Sequence, residues 1–416
     1  MGSRTRVGAV IAALLALPLA TACSGGAERP AGAAAGACPV GDPGGAGWRR
    51  VEAPAGQGRA EVELTGLEAR SAGGPWLAVG SLRPLGSRPV PAVWTSPDGH
   101  RWRRARLEPV TLDGAVSRLL GVARSGRLAA AIGVTFSRTE GVARPSAWSS
   151  RDGDRWREAP ANRELFGGPA GQGIDAVAAG PLGLAVAGLR TGRDNRTFAA
   201  VWRSDDGRRW RPPAQVPALT AASAEVPAVL AVAVGPGGIV VSGRVVRATD
   251  PGDGVIWFGA GGRRWERVAP GPAGLGGAGA QEVDRVVAVG SGFVAVGLAG
   301  PPGGRHPAAW VSPDGRTWEA GTARAFGAAG AGGPVERMTS LAAVPGGRLL
   351  AAGTAGSAPC LWRSGDGRAW VAEPLPAAAA TAGLQRVLAA DDGAWTVVVL
   401  QRAGRAEAWA RPSATG

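Results

Sequence analysis

The chain of 416 residues contains no tyrosine, only two histidines and only three cysteines. It also contains no lysine, so all 46 basic residues are arginine. Each shortage closes a route. Without tyrosine there is no phenolic nucleophile. His100 and His306 lie far apart, and no Cys/His set has the spacing of a zinc site. No serine has a plausible histidine base near it in sequence, and no glycine-rich phosphate loop opens a helix. No metal and no cofactor are therefore expected. Phenylalanine is scarce as well, with 6 residues against 16 tryptophans, so tryptophan carries the aromatic burial. The missing lysine fits the codon bias of a high-GC genome. The net charge of +14 does not follow from that bias, and it points to anionic polymers or surfaces as partners.

What the chain has instead is a repeat. In Val93-Trp94-Thr95-Ser96-Pro97-Asp98-Gly99-His100-Arg101-Trp102 two tryptophans stand eight residues apart. The pattern returns at Trp148/Trp156, Trp202/Trp210, Trp257/Trp265, Trp310/Trp318 and Trp362/Trp370, with the second tryptophans 52 to 55 residues apart. Pro97-Asp98-Gly99 reads as a three-residue hairpin loop, with glycine in the left-handed position. That register sets Trp94 opposite Trp102. Asp152, Asp206, Asp314 and Asp366 repeat the role of Asp98 as turn residues, each capping its own loop. The fourth copy reads Ala260-Gly261-Gly262 and lacks the acid. Another hairpin of small and β-branched residues precedes each of these turns, so each repeat holds four strands.

The ends of the chain are complementary halves of a seventh copy. Trp409 is a first-type tryptophan without a partner, and Trp48 is a second-type tryptophan 54 residues before Trp102. The expected fold is all-β, a seven-bladed β-propeller of four-stranded blades. Its ring is closed by the N-terminal strand, which completes the C-terminal blade and removes the open edges. The Ser-Pro-Asp-Gly-x-x-Trp copies resemble the Asp-box repeats of sialidase-like propellers, over the length from Trp48 to the C-terminus. Asp and Gly are adjacent here, so the motif is one residue shorter than in that family. The resemblance implies the fold. It does not carry over sialidase catalysis, which uses the tyrosine that this chain lacks.

At the N-terminus Arg4 and Arg6 precede an apolar stretch at 7–19, followed by Ala20-Thr21-Ala22-Cys23. This resembles a bacterial lipoprotein signal, with Ala20 where that family prefers leucine. The resemblance implies a signal peptide at 1–22, lipidation of Cys23, and a location on the outer face of the cytoplasmic membrane. Residues 23–46 are rich in Gly, Ala and Pro and read as lipidated Cys and tether. The propeller then occupies 47–416. Export favours a disulfide between the two remaining cysteines, Cys38 and Cys360.

The expected ligand surface is one rim of the ring. Loops between the second and third strands of the blades carry Arg138, Arg190, Arg193, Arg196, Arg244 and Arg305, among other arginines, against Glu140, Asp194, Asp250 and Asp253. The reading that follows is a monomeric, non-enzymatic binding or scaffold module. Its partner would be a protein or an anionic envelope polymer, with the membrane reached through the anchor and no nucleic acid involved. The alternative is a glycan-active enzyme using carboxylates around the channel.

Overall fold

The structure is a computed structural model. It describes Cys38 and residues 40–41, 47–56, 58, 60–71, 74–136, 143–160, 165–166, 171–248, 252–271, 273–277, 279–301, 304–321, 336–376, 379 and 383–413. Residues 1–22 and Cys23 therefore lie outside the described residues.

Seven antiparallel sheets form the ring. Blade 1 runs from its inner to its outer strand as Glu61–Glu68, Trp76–Arg83, Val90–Ser96 and Arg103–Arg104. Blade 7 comprises Leu384–Asp391, Trp395–Arg402, Arg405–Pro412 and, as its outer strand, Arg49–Val51 from the other end of the chain. Arg50 pairs with Trp409 in that closing ladder. Blade 2 gains a fifth strand, Arg106–Glu108, parallel to Arg155–Glu158. In blade 3 the fourth strand shrinks to one bridge between Arg203 and Arg211.

The core is seven apolar clusters, each filling the space between two neighbouring blades. A middle strand thus packs on both faces. Trp76–Arg83 is buried at every residue but the last. This explains the continuous runs of small and β-branched residues in place of strict alternation.

The tryptophan register differs from the sequence expectation. Trp94 lies opposite Arg104 rather than Trp102, and Trp257 lies opposite Arg267. The cause is in the turn. Ser96 Oγ accepts from the Gly99 N–H at 2.8 Å, while Asp98 Oδ1 accepts from the N–H groups of His100 and Arg101 at 2.9 and 3.1 Å. In the fourth copy, which lacks these side chains, Trp265 stays in the ladder opposite Gly259. In the first, these bonds extend the loop from Ser96 to Arg101, so the second tryptophan falls outside the pairing. Its indole folds back over the turn instead. Trp156 Nε1 donates to the Gly153 carbonyl and Trp318 Nε1 to the Gly315 carbonyl, both at 2.8 Å.

Cys38 and Cys360 are joined by a disulfide, with Cα atoms 5.4 Å apart. Val40–Gly41 then pairs with Leu375–Pro376. Part of the segment read as tether is therefore docked on blade 6. The bridge spans 322 residues of sequence, and loops of that size carry about 2–5 kcal/mol of stabilisation.

Each inner strand carries a β-bulge at a matching place. The bulged residues are Thr65, Leu120, Asp175, Leu230, Asp284, Thr339 and Gln385. In six blades the second strand supplies a glycine beside the bulge: Gly80, Gly133, Gly188, Gly243, Gly297 and Gly353. The glycine is required by close approach. A Cβ at Gly353 would lie 1.8 Å from the Arg337 carbonyl oxygen, and one at Gly80 1.8 Å from that of Glu63. In the seventh blade Arg402 occupies this place, and its buried guanidinium donates to the Ala379 carbonyl at 3.0 Å.

Gly353→Ala is expected to cost about 1–3 kcal/mol by overpacking against backbone. A urea unfolding midpoint equal to that of the wild type contradicts this reading of the bulge.

Candidate functional site

Seven inner strands surround the central channel of such a ring. Their first halves lie toward the rim formed by the blade connections and the second-to-third loops, here called the loop rim. The Asp turns and inner hairpins form the opposite, turn rim. Bulges re-aim side chains, and around the channel they occur beside most of the charged residues of the inner strands.

Ion pairs join neighbouring blades there. Arg118 of blade 2 pairs with Glu63 of blade 1. Arg337 of blade 6 holds both Glu282 and Asp284 of blade 5. Its guanidinium stays above its ordinary pKa, because those bonds outweigh the burial that opposes its charge. Two further arginines differ from these. Arg285 Nη1 donates to the Asp284 backbone carbonyl at 2.6 Å, and Arg386 Nη1 to the Thr65 carbonyl at 3.4 Å. Neither forms an ion pair among the described residues. Burial lowers the pKa of Arg285, the like charges of Arg386 and Arg337 lower it further, and Asp284 opposes the shift. Burial likewise lowers Arg386, with Arg118 adding to the effect and Glu63 opposing it. The inner strands thus carry two guanidiniums held by backbone carbonyls, with no carboxylate in ion-pair contact among the described residues.

Asp175, the bulged residue of blade 3, is the complementary case. Solvent reaches its side chain, yet protein surrounds it, and burial pushes its pKa to about 7. Burial also raises Glu68 on the inner strand of blade 1 to about 7, against the pull of Arg124.

The arginines expected to form the ligand surface lie on or near the loop rim, but most are occupied. Arg190 donates to the Leu165 carbonyl at 3.1 Å and Arg196 to the Ala221 carbonyl at 2.5 Å. Arg244 pairs with Glu282 of the next blade. Arg193 is exposed, and Arg305 is half-buried with no partner for its Nε. Arg138 lies outside the described residues. Acids beyond the loops themselves neutralise much of the rim: Glu225 takes Arg247, and Glu407 takes Arg402 and Arg405. Asp98, Asp152, Asp206, Asp314 and Asp366 all sit on the turn rim. In Asp206 and Asp366 backbone N–H donors are the leading influence and hold the carboxyl below its ordinary pKa. In the other three burial is the largest influence and opposes ionisation, but similar donors together outweigh it.

Sequence reasoning missed Arg285, Arg386 and Asp175. A signal was present, since each is a charged residue at the edge of an apolar strand run.

No protein-family model matches the chain, and no curated protein matches it. Solved structures do. An α-L-arabinanase of Penicillium chrysogenum complexed with arabinobiose is 13% identical, with a TM-score of 0.46, covering 91% of this chain and 98% of its own. A catalytically inactive virginiamycin B lyase of Staphylococcus aureus with quinupristin is 10% identical, with a TM-score of 0.45, covering 88% and 100%. A Hadza microbial sialidase is 15% identical, with a TM-score of 0.45, covering 85% and 66%.

A carboxyl whose native pKa lies above its unfolded value costs stability as it ionises. For Asp175 that cost begins above about pH 4 and is complete above about pH 7. Asp175→Asn is therefore expected to match the wild type in melting temperature near pH 4 and to exceed it at pH 8. Parallel curves across that range contradict an enclosed Asp175.

Proposed function

We propose that the chain is an exported, lipid-anchored β-propeller serving as a non-enzymatic binding or scaffold module. Its ligand is an anionic envelope polymer or an acidic protein surface, captured at the loop-rim mouth of the channel. The observation that carries this reading is the pair Arg285 and Arg386. Each is held by a backbone carbonyl rather than a carboxylate, in a site that protein largely encloses. An incoming anion would offset both the burial and the mutual repulsion of these charges. Exposed Arg83, Arg88 and Arg193 on the same rim add steering toward the mouth. The stapled turns fit the resemblance to Asp-box repeats, and they lie on the far rim from this site. The signal at 1–22 and Cys23 would hold the ring at the outer face of the cytoplasmic membrane.

Glu63, Glu282 and Asp284 are committed to arginines, which disfavours paired-carboxylate catalysis. One observation favours the glycan-active reading: a carboxyl near 7, such as Asp175, is suited to general-acid work.

The test is binding of polyglutamate at rising salt. Arg285→Ala/Arg386→Ala is expected to bind about tenfold more weakly than the wild type. Equal affinity overturns the assignment. Turnover on a panel of glycans that Asp175→Asn abolishes would establish the enzyme reading in its place.

A further inference from the structure

A second cationic site lies on the turn rim, across the ring from the channel mouth. A cleft of about 920 Å3 opens between blades 2, 3 and 4. Five arginines line it: Arg127, Arg151, Arg203, Arg263 and Arg264. Its one acid, Asp205, is already paired with Arg211 at 2.5 Å. All of the arginines except Arg203 are exposed.

The cleft sits at the one Asp-less copy of the repeat. Gly261 stands where the aligned turns carry Asp98, Asp152, Asp206, Asp314 and Asp366. Among the described residues no carboxylate staples this turn. Its backbone closes on itself, with Gly262 N–H donating to the Gly259 carbonyl at 2.8 Å. Arg203 reaches over from blade 3 and donates to the carbonyls of Gly261 and Gly262 at 2.9 and 2.8 Å. A guanidinium from the neighbouring blade thus anchors this turn through its carbonyls, where a carboxylate anchors the other turns through their N–H groups, and the local charge swings from negative to positive. Burial depresses the pKa of Arg203, and the like charges of Arg211 and Arg263 add to that. Its Nε has no hydrogen-bond partner among the described residues.

We infer that this cleft is a binding site for a multiply charged oxyanion of the diphosphate type. Guanidinium forks match phosphoryl oxygens in pairs. Five of them, from three blades around a space too large for a single ion, suit a ligand with more than one anionic group. Such a group is carried by soluble diphosphates and, as a phosphodiester array, by an anionic lipid surface.

Gly261 supplies the test. Its φ is +56°, and a Cβ there would meet nothing within 4 Å. Asn and Asp are the side chains that most readily take this conformation. Gly261→Asp restores the missing carboxylate, and Gly261→Asn restores only its shape. The channel is untouched in both, so a difference between them reads the cleft alone. Titration with inorganic pyrophosphate is expected to give similar affinities for wild type and Gly261→Asn, with Gly261→Asp weaker by about tenfold. Co-sedimentation with phosphatidylglycerol vesicles separates the sources. The same Gly261 dependence there assigns a lipid surface, and dependence with pyrophosphate alone assigns a soluble ligand. No difference between Asn and Asp with either probe overturns the proposal.

Discussion

A carbonyl oxygen pressed against a glycine organises the inside of this ring. Where Gly80 and Gly353 lack a Cβ, the Glu63 and Arg337 carbonyls move into the space and the inner strand bulges. The bulge adds one residue to the strand and turns its neighbours relative to the sheet. Repeated around the ring, it sets charged side chains along the channel while the rest of each strand stays in the apolar packing between blades. Without it, an uninterrupted two-residue alternation would send those charges into the neighbouring blade.

The channel also needs a closed ring. Arg49–Val51 is a short closing strand, and its ladder with Arg405–Pro412 is correspondingly short. Two other attachments support it. The Cys38–Cys360 disulfide and the Val40–Gly41 pairing fix the preceding segment to blade 6. Gln401 of blade 7 donates to the Val62 carbonyl and accepts from the Leu64 N–H, at 2.8 and 2.9 Å, which joins the last blade to the inner strand of the first. Arg386 spans the same seam through the Thr65 carbonyl. Arg386 thus contributes both to closure and to the charge of the inner strands.

The architecture was legible because tryptophan is large and repeats with a fixed period. Trp48 and Trp409 could be recognised as halves of one copy for that reason, and the fourth copy stood out by its missing acid. The pairing of Trp94 with Trp102 misled, because side-chain bonds from Ser96 and Asp98 lengthen the turn in a way that strand periodicity does not encode. The rim arginines were visible, but their neutralisation was not. Glu282 and Glu225 lie in other segments of the sequence from Arg244 and Arg247. The cleft on the turn rim was hidden for a similar reason, since its five arginines come from three blades. Arg285 and Arg386 were passed over because strand periodicity does not show the bulges beside them.

The most direct measurement is the titration of the Asp175 carboxyl, followed by carbon NMR in the intact protein. This side chain sits on a bulge of an inner strand and forms no ion pair with an arginine among the described residues, so it reports how far the ring encloses the site. The expected midpoint is about 7. A midpoint near 4, the ordinary value for a solvated aspartate, would mean that the bulge does not enclose it, and the channel would then be an open, fully hydrated surface.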